Sequence, residues 1–327
     1  MSVTIDKEAI RRSVNERLRH NQAGQAPLHF TANSQSSIRH VVSVVSGKGG
    51  VGKSLVCGAA AIELARAGYK VGILDADITG PSIPKMFGFA GKHAYGKDDK
   101  IIPLMSQLGI KIISTNLVIE KETDPVLWRG PMLMGAIKQF FEDTLWGEID
   151  YLLVDMPPGT GDVALTVFQS LPITGVIVVS SPQDLVQMVV GKALTMAQMM
   201  DVPTLGLVEN MSYITCPDCN VHIYPFGESR LAETAEHYDI PALDRLPIMQ
   251  HLAQACDEGT LETQLPETFA PQTLQALQAL DDGADGAGSA GAGAGAAAGV
   301  GSAAGMAARA TAGADTINSN HTTQPSE

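Results

Sequence analysis

The sequence predicts an α/β fold, a doubly wound and mostly parallel sheet with helices on both faces. Two observations predict it. Six short apolar runs rich in β-branched residues recur between residues 40 and 210, apolar on both parities, as strands buried on both faces must be. Stretches with helical periodicity separate them, so strand, helix and strand alternate in the order that right-handed crossovers require. A chain of 327 residues with 45% hydrophobic content can also bury the core such a fold needs.

Taken in order, residues 5–20 ("IDKEAIRRSVNERLRH") put Ile10, Val14 and Leu18 on one stripe of a short amphipathic helix. Residues 21–38, rich in Gln, Asn, Ser and Ala, read as a linker, so 1–38 is expected to be a short helix and linker. Strands are expected at 40–46, 70–75, 110–115, 149–155, 173–180 and 204–210, and helices at 53–67, 131–145, 183–200 and 228–237. The main domain then spans 39–275. From about residue 281 to 315 the chain is almost all Ala and Gly, with Val300 and Met306 as the only large apolar residues of that stretch. Such a segment cannot bury enough surface to offset its chain entropy, and 276–327 is expected to be a disordered tail.

Charge excludes some classes of function. A formal charge of −13, from 22 basic and 35 acidic residues, argues against a surface for nucleic acid or anionic membranes. No apolar run reaches the roughly 18–20 residues that span a bilayer. Four cysteines and no secretory-type N-terminus suit a reducing compartment, and a cytoplasmic protein is expected.

The first strand runs into "SGKGGVGKS", residues 46–54, and then into a helix. Gly47, Gly52, Lys53 and Ser54 fit the P-loop pattern in the strand-to-helix setting that gives the pattern meaning. Across Gly47, Lys48, Gly49, Gly50, Val51 and Gly52 the backbone can wrap closely and aim its N–H groups at phosphate oxygens, with the helix N-terminus adding partial positive charge. Lys53 is expected on the β- and γ-phosphates of ATP, and the Ser54 hydroxyl on Mg²⁺.

Acids follow at strand ends. In "YLLVDMPPGTGD" Asp155 comes after four apolar residues and is the candidate to orient the metal. The glycines of the next segment let it swing, so the Gly159 amide is expected to sense the γ-phosphate. In "ILDADITGPSIP", Asp77 is the candidate to position the attacking water, and Asp75 to fix the loop or the metal's water shell.

"TCPDCN" at 215–220 holds Cys216 and Cys219, half of a four-thiolate metal site in a chain whose other cysteines, Cys57 and Cys256, lie far away. Pro217 stiffens the turn that brings both sulfurs to one side. By residue type alone the pair suits half a zinc site, an iron–sulfur site or a thiol redox couple. Cys57, beside small residues on the first helix, reads as core, Cys256 as structural, and His222 as a solvated residue of a mobile loop.

"KGGVGKS" resembles the deviant Walker A motif of the MinD/ParA/nitrogenase iron protein group. The resemblance implies that Lys48 acts in trans, two subunits closing face to face around two ATP molecules. "GILDADITGPSIPKMFG", "LWRGPM", "DYLLVDMPPGTGD", "VVSSPQD" and "LVENMSYITCPDCN" together resemble the Mrp/ApbC branch, the iron–sulfur cluster carrier ATPases, over residues 39–260. That resemblance implies a homodimer that hydrolyses ATP, and slow hydrolysis is expected because a switch gains nothing from rapid turnover without its client. The resemblance also implies one [4Fe–4S] cluster bridged by Cys216 and Cys219 of each subunit, received from an assembly scaffold and passed to apo-proteins. Asn210 matches the place where the wider group reads the adenine edge. The separate pre-domain and N-terminal four-cysteine site of some relatives have no counterpart before Cys57. The competing expectation is a MinD/ParA-type positioning or partition ATPase, which would need a C-terminal membrane helix or a basic face.

Overall fold

The computed structural model describes residues 30–288 except 79, 98–99, 118–129 and 184–185. The helix expected at 5–20, the linker up to 29 and the chain beyond 288 lie outside the described residues.

In chain order the strands are β1 (Ser37–Ser46), β2 (Val71–Asp75), β3 (Tyr95–Lys97), β4 (Lys100–Ile102), β5 (Leu104–Met105), β6 (Lys111–Ser114), β7 (Glu148–Asp155), β8 (Gly175–Ser180), β9 (Thr204–Thr215), β10 (His222–Ile223) and β11 (Ala242–Pro247). One sheet runs β10-β9-β8-β1-β7-β2-β6-β5, with β11 also on β9, while β3 and β4 form a separate hairpin. Pairs along the interior are parallel, and the antiparallel pairs of the sheet, β5 with β6 and β10 with β9, sit at its edges.

The apolar parities divide between two cores. Val42, Val44, Ile73 and Leu153 face one, and Val41, Val45, Leu74 and Leu152 face the other. The first is covered by α1 (Lys53–Arg66), α2 (Ile83–Met86), α7 (Gln250–Glu258), α8 (Leu261–Gln264) and α9 (Pro271–Gly288), through residues such as Ile62, Ile83, Leu252, Leu261 and Leu277. The second is covered by α3 (Gly130–Glu142), α4 (Asp162–Ser170), α5 (Val186–Met199) and α6 (Leu231–Tyr238), through Ile137, Phe168, Leu194 and Leu231. This is the doubly wound, mostly parallel architecture that the sequence predicts.

Two boundaries differ from expectation. The strand expected to stop at residue 210 continues to Thr215, because β10 and β11 give its second half hydrogen-bonding partners. The domain does not stop at 275, since α9 passes through that point and its Leu277 is fully buried. Buried carboxylates tie the start of α9 down. Glu63 accepts the N–H groups of Phe269 and Ala270, and Asp244 accepts both the N–H and the hydroxyl of Thr273 at 2.7 Å. Composition alone gives no sign of this, because those carboxylates come from positions 63 and 244.

Among the described residues no helix is long and apolar enough to cross a membrane.

Candidate functional site

The glycine-rich loop joins β1 to α1 at the C-terminal edge of the sheet. Gly50 and Gly52 have φ of 85° and 81°, a left-handed conformation that glycine adopts without penalty. At Gly52 the constraint is also steric, since a Cβ there would stand 2.1 Å from Asn210 Nδ2. The loop borders a cleft of about 250 Å³ lined in part by Gly49, Gly52, Lys53, Ser54, Asp77 and Pro158. Lys48 is exposed on the loop, and its carbonyl accepts the Ser46 hydroxyl at 2.9 Å.

Strand register assembles the acids. Asp75 of β2 stands level with Asp155 of β7 and with Ser114 of β6. Lys53 Nζ pairs with Asp155 Oδ1 and lies 4.0 Å from Asp77 Oδ2, while Ser54 Oγ donates to Asp155 Oδ2 at 2.5 Å. Asp75 accepts the Asp77 N–H and the Ser114 hydroxyl, each at 3.1 Å, and so fixes the start of the Asp77 loop. Burial pushes the Asp155 carboxyl up, against the pull of Lys53. Burial and the nearby Asp155 push Asp75 well up. Burial works to lower Lys53, but Asp155, Asp77 and Asp75 outweigh it and the ammonium is held above its ordinary value. A lysine stabilised as a cation among carboxylates is suited to exchange them for phosphate oxygens.

Gly159 has φ 86°, and its N–H donates to Ser46 O at 3.0 Å. The amide expected to sense a γ-phosphate is therefore held on the last residue of β1. Asn210 departs more. It is 1% exposed, and its Nδ2 donates to Val51 O at 2.9 Å. In this conformation the side chain braces the underside of the loop, because the buried Val51 carbonyl needs a donor that the turn itself does not supply.

At the far end of β9 the two cysteines sit in the turn of the β9–β10 hairpin. The Cys216 N–H donates to Val221 O, and the Asn220 N–H to Cys216 O, both at 2.9 Å. Asn220 closes the turn at φ 56°, which asparagine tolerates. Cys216 is half-buried and Cys219 exposed. The N–H groups of Cys219 and Asp218 and the Cys219 thiol donate to the Cys216 sulfur and hold its thiol below the ordinary range. Among the described residues no group of three or more His, Cys, Asp and Glu forms that could hold a metal ion. Cys57 is fully buried, and burial pushes its thiol well up, which fits the core role expected of it.

The segment around the cysteines is a hairpin where a loop was expected, and His222 is exposed as expected. His222 pairs with Thr215, and its ring stacks on Tyr213 at 4.2 Å. Sequence reasoning also passed over Arg245 of β11, whose guanidinium lies 5.9 Å from the Tyr213 ring and 5.8 Å from that of Tyr224. The apolar alternation in "VHI" after the turn was the signal that could have revealed the hairpin.

A phosphate-binding loop between the central strand and the first helix of a doubly wound sheet, with a lysine, a hydroxyl and an aspartate converging at its mouth, defines a P-loop NTPase. Residues 37–280 match the family described as ParA, NUBPL iron-transfer P-loop NTPase, and the chain belongs to that family. It is similar to an iron–sulfur cluster carrier protein of Clostridium perfringens, with 50% identity over 238 residues, 71% of this chain and 84% of that one. An iron–sulfur cluster carrier protein of Aquifex aeolicus is 42% identical over 72% of this chain and 64% of its own length. Among solved structures, a nucleotide-binding protein of Archaeoglobus fulgidus in complex with ADP is similar at a TM-score of 0.64 and 42% identity, over 70% of this chain and 90% of that one. The cell division protein MinD of Aquifex aeolicus, at 16% identity and a TM-score of 0.51 over 74% of this chain and 97% of its own, shares the fold.

Proposed function

We propose that the chain is an ATP-hydrolysing homodimer that binds a labile [4Fe–4S] cluster between the Cys216 and Cys219 pairs of two subunits and passes it to apo-proteins. The observation that carries this reading is the hairpin turn, where two thiols meet, one of them held toward the thiolate by N–H donors, at an exposed tip. Iron–sulfur clusters take four thiolates, and a two-fold axis near the turn doubles a pair into a full set. Val221, Ile223, Tyr224 and Phe226 are exposed beside the turn, an apolar rim suited to a second copy closing around the cluster. The family and the names of the relatives support the carrier role.

In the nucleotide site, Lys53 exchanges Asp155 for the β- and γ-phosphates. Its departure leaves Asp155 and Ser54, adjacent hard oxygen donors that would hold Mg²⁺. Bound there, the ion would offset charge on the transferring phosphoryl oxygens. Asp77 orients the attacking water, and Lys48 reaches the partner's nucleotide, adding positive charge as an arginine finger does. The Gly159 N–H gives up Ser46 O for the γ-phosphate and thereby reports its presence. Asn210 then acts on the nucleotide from beneath the loop, through its amide bond to Val51 O, and not on the adenine edge.

Anaerobic reconstitution with iron and sulfide tests the reading. Wild type is expected to gain the absorption of a [4Fe–4S] cluster at about one per dimer, and Cys216→Ala and Cys219→Ala to lose most of it. Equal cluster content in the variants would refute the site assignment.

A further inference from the structure

The strand β9 passes beneath the phosphate loop and then carries the cysteine turn. It is bonded to the loop through Asn210, and Met211 follows beside Gly52. Asn210 Nδ2 donates to Val51 O at 2.9 Å, and the place a Cβ would take on Gly52 is 3.7 Å from Met211 Cε. The Val51 carbonyl and the Gly52 N–H belong to one planar peptide unit and point in opposite directions. Holding the carbonyl from below therefore orients the N–H on the side of the cleft that Gly52 lines. Any rotation of that peptide on a bound phosphate pulls on β9.

The next residue is where the strand can yield. Met211 has φ 58°, and the other non-glycine residues with positive φ among those described are Asp201, Asn220 and Asp239, whose side chains suit that conformation. Methionine has no such excuse. The strand also bulges there, because Glu209 pairs with Arg245 and Tyr213 with Pro247, so β9 uses four steps where β11 uses two.

Beyond the bulge the strand is tied to the cysteine turn. Arg245 Nε donates to Ser212 Oγ at 3.2 Å, and its guanidinium lies 5.9 Å from the Tyr213 ring and 5.8 Å from that of Tyr224. Tyr213 stacks on His222, which pairs with Thr215, the residue before Cys216. Through these contacts the part of β9 after Met211 is joined to the cysteine turn.

We propose that Met211 is a positioning residue whose left-handed bulge is the hinge through which phosphate bound in the loop changes the setting of Cys216 and Cys219. This rests on the functional reading above and adds the route from nucleotide to cluster site. A phosphate in the loop biases the hinge, and by linkage a metal species held at the turn biases nucleotide affinity by the same factor.

The test uses the full chain without cluster, as a monomer verified by sedimentation, so that dimer closure does not cover the cysteines. The rate of alkylation of Cys216 and Cys219 by iodoacetamide is followed by peptide mass spectrometry, with and without saturating Mg-ADP. Wild type is expected to change rate about fivefold or more on ADP binding. Met211→Gly, free to take either sign of φ, is expected to bring that ratio within about twofold of one while still binding ADP. Met211→Asn, which keeps the left-handed conformation, is expected to retain it. The hinge is overturned if Met211→Gly keeps the wild-type ratio, if Met211→Asn loses it, or if wild type binds ADP with no change in rate. Failure of wild type to bind ADP would instead sink the functional reading.

Discussion

At the level of single residues, groups proposed for phosphate and metal pair with other groups of the protein, Lys53 with Asp155 and the Gly159 N–H with Ser46 O. The cysteine turn is prepared differently, since the donors that will surround a thiolate are already aimed at Cys216. Alkylation of Cys216 by iodoacetamide in the cluster-free protein is accordingly expected to reach half its limiting rate at a lower pH than that of an unstructured peptide with the same turn sequence. A midpoint at or above that of the unstructured peptide would remove the electrostatic preparation. The phosphate loop was legible in the sequence because its chemistry is contiguous. Asn210's seat under Val51 was not, because the two lie 159 positions apart and only the sheet brings them together.

Among the elements, α9 is the one whose place composition conceals. Glu63 and Asp244 tie down its start, Leu277 is buried further along, and Asp281 closes a cluster one turn beyond that. Asp281 Oδ1 lies 2.9 Å from His40 Nε2 and accepts Arg39 Nη1 at 3.1 Å, while Tyr151 Oη is 3.0 Å from Oδ2. Burial acts to raise the Asp281 carboxyl, but the hydrogen bonds from His40, Arg39 and Tyr151 outweigh it and hold it below the ordinary range. A carboxyl with a depressed folded-state value stabilises the fold above its unfolded value and loses that contribution as pH falls through the folded one. Asp281→Ala is therefore expected to cost about 1–3 kcal/mol in urea unfolding at pH 7, the range for a part-buried charged hydrogen-bonding group. The gap from wild type is expected to close below about pH 4. An undiminished gap in acid would show that the loss is one of packing. Strands β1, β2, β7 and β8 were legible because continuous β-branched apolar runs are local. Strand β10 and helices α8 and α9 were not, since they are short or polar and owe their stability to distant partners.

Across the whole molecule, the sheet places both sites on one strand system, with the phosphate loop at its centre and the thiol turn at its edge. The acidic charge of −13 and the exposed apolar rim near the turn agree with a partner that binds through shape and thiolate chemistry. If Lys48 completes the partner's site, specific ATPase activity is expected to rise with protein concentration until the dimer is saturated. In Lys48→Ala that rise is expected to flatten, with a loss of about tenfold or more at the plateau. Full turnover in the variant, measured by phosphate release, would end the trans-lysine proposal.

The sequence by itself determined the class of fold, the phosphate loop with its lysine, serine and aspartates, and the pairing of two cysteines in one turn. Each of these rests on residues close together in the chain, where sterics and periodicity act locally. Only the tertiary structure decided that β9 runs on beneath the loop to the cysteines, that Met211 bends it in a left-handed bulge, and that α9 belongs to the core. Those features depend on hydrogen-bond partners and buried carboxylates supplied from far along the chain, and no local pattern of side chains encodes a distant partner.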